Sequence, residues 1–174
     1  MANNYQQFSE TLEINTAEEL AWWKSQLDEV IVDEFGSIVS EASDTTATAP
    51  RFMALGRQAG VFSDQEDLST PGFDWEFLGS VAQQSASLWV YAEESGELER
   101  LAYVVSEFLK SFHPDEFWSL TYAATCSKPC AGEFGGGAVF VTAARIQWTN
   151  AHDWAEERAM EFDAAQVARR ARGA

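Results

Sequence analysis

Four side chains in this sequence could hold a zinc ion: Cys126 and Cys130, with His113 and His152. Two cysteines and two histidines complete a tetrahedral shell. Such sites are normally built from two tight ligand pairs, however, and both histidines stand alone here. The plainer reading is two thiols in a turn, so no metal and no cofactor is assigned. Nearby, Gly135, Gly136 and Gly137 could cradle a phosphate through backbone N–H groups. A phosphate loop wants Lys or Ser/Thr and a helix start after it. Here Ala138, Val139, Phe140 and Val141 follow as a strand pattern, and Glu133 adds the wrong charge, so close backbone packing accounts better for the glycines. Cys126 with either histidine, or His152 beside Asp153, offers a nucleophile and a base but no third group to orient them. No catalytic residue follows from this. Cys126, Lys128, Glu133, Gly135, Gly136, Gly137 and His152 stand as a secondary candidate site, the one an enzyme or ligand-binding protein would use.

Carboxylates are the more abundant chemistry. The chain has 28 Asp plus Glu against 11 Lys plus Arg, a net charge of −17 over 174 residues. Residues 1–49 hold ten acids and one base, Lys24. Glu18, Glu19, Asp28, Glu29, Asp33 and Glu34 fall within one expected helix, where several would share adjacent outward turns. Like charges so spaced oppose helix stability. A line of them could imitate the charge spacing of duplex DNA and occupy a basic groove. These six residues are the candidate partner-binding face; the plain alternative is an acidic, solvated surface. Asp74 and Glu76 flank Trp75, and Glu93, Glu94, Glu97 and Glu99 cluster further on, with no calcium-loop pattern.

The elements that must position these groups follow from periodicity. Phe8, Leu12 and Ile14 share one parity, which suggests an edge strand over 5–14. Thr16 and Glu19 form a capping box, and Leu20, Trp23, Leu27, Val30 and Ile31 extend the helical spacing from residue 17 into the mid-30s. Residues 37–72 read as a loop-rich insertion containing a short helix. Strict alternation over 73–77 and the β-formers of 87–92 predict an antiparallel pair. Leu98, Leu101, Val105, Phe108, Leu109 and Phe112 make an amphipathic helix that Pro114 stops. A strand over 117–125, a hairpin from 138–142 and 146–149, and a helix capped by Asn150 complete the chain. Trp154, Ala155, Arg158 and Phe162 share one side of that last helix. The expected class is α+β: an antiparallel sheet with helices on one face, on a ferredoxin-like β-α-β-β-α-β plan, with a C-terminal hairpin and helix added. The length suits one domain, 1–174.

From Phe73 onward, the strings FWSLTYAATCSKP, GEFGGGAVFVTA and IQWTNAHDW resemble a family of small acidic proteins of unassigned function from bacteria, plasmids and phages. The resemblance implies a mobile-element setting, with action on a bacterial defence system. It brings no activity, ligand or catalytic residue.

Composition bounds the rest. At 46% apolar and 13% aromatic residues, the chain is too apolar for a disordered acidic tail. It has no apolar run long enough to span a membrane, and its first residues lack the pattern of a secretory signal. A cytoplasmic location is expected. Strong acidity disfavours direct contact with nucleic acid or anionic membrane and favours a basic protein surface. The leading expectation is a non-enzymatic protein that binds such a partner, for example as a DNA-mimicking inhibitor of a CRISPR effector or restriction enzyme. A small enzyme using the Cys126–Gly137 loop, and a housekeeping binding module, are the alternatives.

Overall fold

The computed structural model describes residues 4–63, 65–83, 85–128 and 134–172. The elements run β1 (Asn4–Ile14), α1 (Ala17–Leu27), β2 (Glu29–Val32), β3 (Ala47–Pro50), α2 (Arg51–Gln58), β4 (Asp74–Leu78), β5 (Ala86–Ala92), α3 (Leu98–Phe112), β6 (Phe117–Cys126), β7 (Gly135–Thr142), β8 (Ile146–Asn150) and α4 (Ala151–Arg172). Six strands form one antiparallel sheet in the order β4-β5-β1-β6-β7-β8, and β2 and β3 form a separate ribbon. Within the large sheet, the order β4-β5-β1-β6 is that of a split βαβ plan, with α1 following β1 and α3 joining β5 to β6. The expected α+β class and the terminal hairpin and helix are both present.

Two expectations need correction. β1 is not an edge strand: it lies in the middle, pairing Phe8 with Ala92 on one side and with Tyr122 on the other. The first helix does not run into the mid-30s either. It ends at Leu27, where Asp28 turns extended, and Glu29–Val32 pairs with Ala47–Pro50. Val30, Ile31 and Val32 are consecutive β-branched residues, which favour a strand even though Val30 and Ile31 continue the helical spacing from Leu27.

The sheet has one covered face. Phe8, Leu12, Leu88, Val90, Leu120, Val139 and Val141 point into a core shared with Trp23, Leu101, Val105 and Phe108 of the helices. Trp22, Trp23, Phe108 and Phe112 form an aromatic cluster where α1 meets α3. The segment expected to be a loop-rich insertion joins the same core through Phe52, Met53, Ala54, Phe62 and Leu68, and α2 is its short helix. Arg57 donates to the carbonyls of Ser63 and Glu66. Arg100, itself buried, donates to the Thr70 carbonyl at 2.8 Å. These two guanidiniums hold the irregular stretch after α2 against the body, satisfying backbone carbonyls that have no ladder partner.

Candidate functional site

Alternation along the strands sets the chemistry of the opposite face. Register places Asp74, Tyr91 and Ser9 in one row, and Glu76, Trp89 and Thr11 in the next. Gln7 lies opposite Ala123, and Tyr5 opposite Thr125. Ser119 faces Phe140, with Gln147 beyond it. Among the described residues, no strand position on this face carries Lys or Arg. The face therefore combines hydroxyls, aromatic rings and carboxylates, and it lies open.

Its rings are ordered in two groups. Trp89 and Tyr91 stack with centroids 4.2 Å apart, and the Trp89 Nε1–H donates to Ser9 Oγ at 2.9 Å. Phe117 and Phe140 stack at 4.9 Å. Gln7 Nε2 donates to the Glu93 carbonyl at 2.6 Å. Tyr5, Gln7, Ser9, Trp89, Tyr91 and Glu93 line a shallow groove of about 700 Å³. Asp74 and Glu76 are exposed on the edge strand β4 beside the Trp89–Tyr91 stack. A cation laid on that stack would meet ring faces and carboxylates together, an arrangement worth about 0.5–1 kcal/mol per exposed cation–π contact before the charge is counted.

The six front acids do not make a stripe. Glu18 and Glu19 are on α1, Asp28 caps its C-terminus, Glu29 is in β2, and Asp33 and Glu34 lie in the turn beyond. Glu19 is only 3% exposed. Its carboxylate accepts from the Asn15 N–H at 2.8 Å and the Thr16 hydroxyl at 3.0 Å, and its own N–H donates to Thr16 Oγ1 at 3.1 Å. It also lies 3.6 Å from His113 Nε2. Asp33 accepts from the N–H groups of Phe35 and Ser37. Both carboxylates thus have local structural roles, and of the other four only Glu18 lies on α1, with Asp28 at its C-cap and Glu29 and Glu34 beyond it. An extended helical array imitating DNA is not formed.

The secondary candidate site is partly assembled. Gly135, Gly136 and His152 meet Tyr5, Thr125 and Asn150 around a groove of about 360 Å³. His152 Nε2 lies 3.2 Å from Glu156 on the exposed start of α4. Cys126 is 8% exposed and does not line that groove. Lys128 is exposed on the loop, and Cys130 and Glu133 lie outside the described residues. The zinc set is not gathered, because His113 precedes β6 and Cys126 ends it, roughly 30 Å along the strand. The glycines fit strand packing. A Cβ on Gly137 would fall 2.0 Å from the Thr149 carbonyl oxygen, and one on Gly136, at φ 154°, would fall 2.5 Å from that of Tyr122.

Periodicity located Trp89, Tyr91, Asp74 and Glu76 on strands but gave no reason to group them as a site. The available signal was alternation with polar and aromatic residues on one parity in every strand, a pattern that marks an uncovered sheet face. No protein-family model matches the chain, and neither a comparison with curated proteins nor one with solved structures returned a match. No helix is long and apolar enough to cross a membrane among the described residues.

Proposed function

We propose that the protein acts by binding rather than by catalysis, and that the open sheet face takes a basic protein surface. The observation that carries this reading is the face itself: stacked aromatic rings beside Asp74 and Glu76, with no basic strand residue among those described. The net charge of −17 extends the attraction beyond contact distance and steers encounter. Proteins that hold nucleic acid present basic surfaces of this kind. A bacterial nucleic-acid enzyme is therefore the partner class that suits the chemistry, and the resemblance to mobile-element proteins supports that setting. Recognition would rest on a flat acidic and aromatic sheet rather than on a helical line of carboxylates.

The test compares wild type with the double variant Asp74→Lys/Glu76→Lys as bait in bacterial lysate at rising salt. The expected result is a basic protein retained by wild type, released as salt rises, displaced by DNA, and not held by the variant. Retention of the same protein by both baits would overturn the assignment of the face.

A further inference from the structure

The stacked pair Trp89–Tyr91 and the carboxylates beside it narrow the kind of cation that the open face suits. The two rings lie 24° from parallel with centroids 4.2 Å apart. Each ring therefore covers one face of the other, and the pair presents a flat wall rather than a cage. A rounded ammonium is held best by rings that surround it, whereas a planar cation stacks on a single ring face. The Trp89 Nε1–H bond to Ser9 Oγ, at 2.9 Å, ties β5 to β1 and fixes the indole before any partner arrives.

Around that wall lie acceptors. Glu93 and Glu94 line the groove of about 700 Å³ that holds the rings. The same two residues line a neighbouring groove of about 460 Å³, which reaches Thr70 and Asp74. Asp74, Glu93 and Glu94 are exposed, and none is in an ion pair among the described residues. Among the described residues, neither groove is lined by Lys, Arg or His. Arg100 reaches the Thr70 carbonyl, but it is buried and already faces Glu66 at 3.7 Å. A guanidinium carries five N–H donors in one plane, so it can lie on a ring while its edge donates to a carboxylate. An ammonium has three diverging donors and a tighter hydration shell, so it gives up more water to reach the same wall.

We infer that the two grooves receive arginine side chains of the partner and prefer arginine to lysine at equal charge; this rests on the reading of the open face as a receptor for basic surfaces. The net charge of −17 attracts any basic chain and does not distinguish one from another. The ring wall adds that distinction. Charge at a distance governs encounter, and the Trp89–Tyr91 stack governs choice.

Fluorescence anisotropy with labelled hexa-arginine and hexalysine, equal in charge and length, tests this on the full chain at several salt concentrations. Wild type is expected to bind the arginine peptide at least roughly tenfold more tightly. Trp89→Ala is expected to bring the two affinities together, by weakening the arginine peptide and leaving the lysine peptide nearly unchanged. Trp89→Tyr keeps a ring and should retain most of the preference, and circular dichroism of both variants checks that the fold is kept. Glu93→Gln/Glu94→Gln should weaken both peptides more than Glu18→Gln/Glu29→Gln, which removes the same charge from exposed positions elsewhere. Equal affinity of wild type for the two peptides, failure to bind either, or a preference that survives Trp89→Ala overturns the arginine groove. Any of these results, with the lysate protein still lost from Asp74→Lys/Glu76→Lys, removes the groove and leaves the wider reading of the face in place. A Trp89-dependent preference for arginine, with that protein held by both baits, does the reverse.

Discussion

The two faces of the six-stranded sheet are written by the same strands in alternate letters. In β5, Leu88, Val90 and Ala92 are buried under the helices, while Ser87, Trp89 and Tyr91 lie on the other side. In β1 the same division separates Phe8, Leu12 and Ile14 from Gln7, Ser9 and Glu13. Adjacent residues therefore answer to different demands. One parity keeps the sheet joined to α1 and α3; the other is free to carry rings and charge for recognition. Stability and binding should separate by single steps along one strand.

The largest expected effect is on the covered face. Leu88→Ala should cost about 2–5 kcal/mol, because a fully buried side chain leaves a cavity between strand and helix. Trp89→Ala, one residue away, should cost about 1 kcal/mol and weaken partner binding instead. Urea denaturation of the two variants checks the contrast, and equal losses would break it. The glycine run offers a second contrast at smaller scale. Gly137→Ala should cost about 1–3 kcal/mol, since the added carbon meets the β8 backbone. Gly135→Ala should stay within about 0.5 kcal/mol, since no heavy atom lies within 4 Å of the new carbon. Binding of inorganic phosphate to wild type, lost in Gly135→Ala, would instead return the loop to a ligand role.

The smallest effect is in alkali. Tyr103 of α3 packs edge-on against Phe62 at 5.2 Å. Burial, and then the nearby Glu107 carboxylate, raise its phenol above the usual 10.0. The folded state thus holds the proton more tightly than the unfolded state. Its contribution is complete below about pH 10 and declines as pH rises from there through the folded value. Denaturation at about pH 8 and about pH 11 should show wild type losing slightly more stability than Tyr103→Phe, and identical losses would remove Tyr103 from the account.

Much of this architecture is legible locally. The Thr16–Glu19 box, the Pro114 stop after α3 and the Asn150 cap of α4 are short-range chemistry, and each lies where its residues place it. What spacing could not give is the central position of β1. With one sheet face uncovered, a central strand alternates just as an edge strand does, and its neighbours lie far away in sequence. Val30 and Ile31 misled for a different reason: their distance from Leu27 fits a helix, while β-branching and pairing with Thr48 and Ala49 decide for a strand. The candidate face escaped grouping because its members come from six strands. The acidic residues of the front half drew attention by their number, yet Glu19 and Asp33 serve the backbone around them.

The central place of β1 also governs when the sheet can form. Its partners along the chain are Ala92, opposite Phe8, and Cys126, opposite Asn4. At ribosomal speeds of about 5–20 residues per second, roughly 6–24 s separate the synthesis of Asn4 from that of Cys126. The β4–β5 hairpin can close as soon as it is made, whereas β1 must wait with both edges unpaired. Closing loops of that span before any contact rewards them slows folding. One edge of β1 can pair once β5 is made and the other only after β6, so the strand made first is the one that waits longest for its two neighbours.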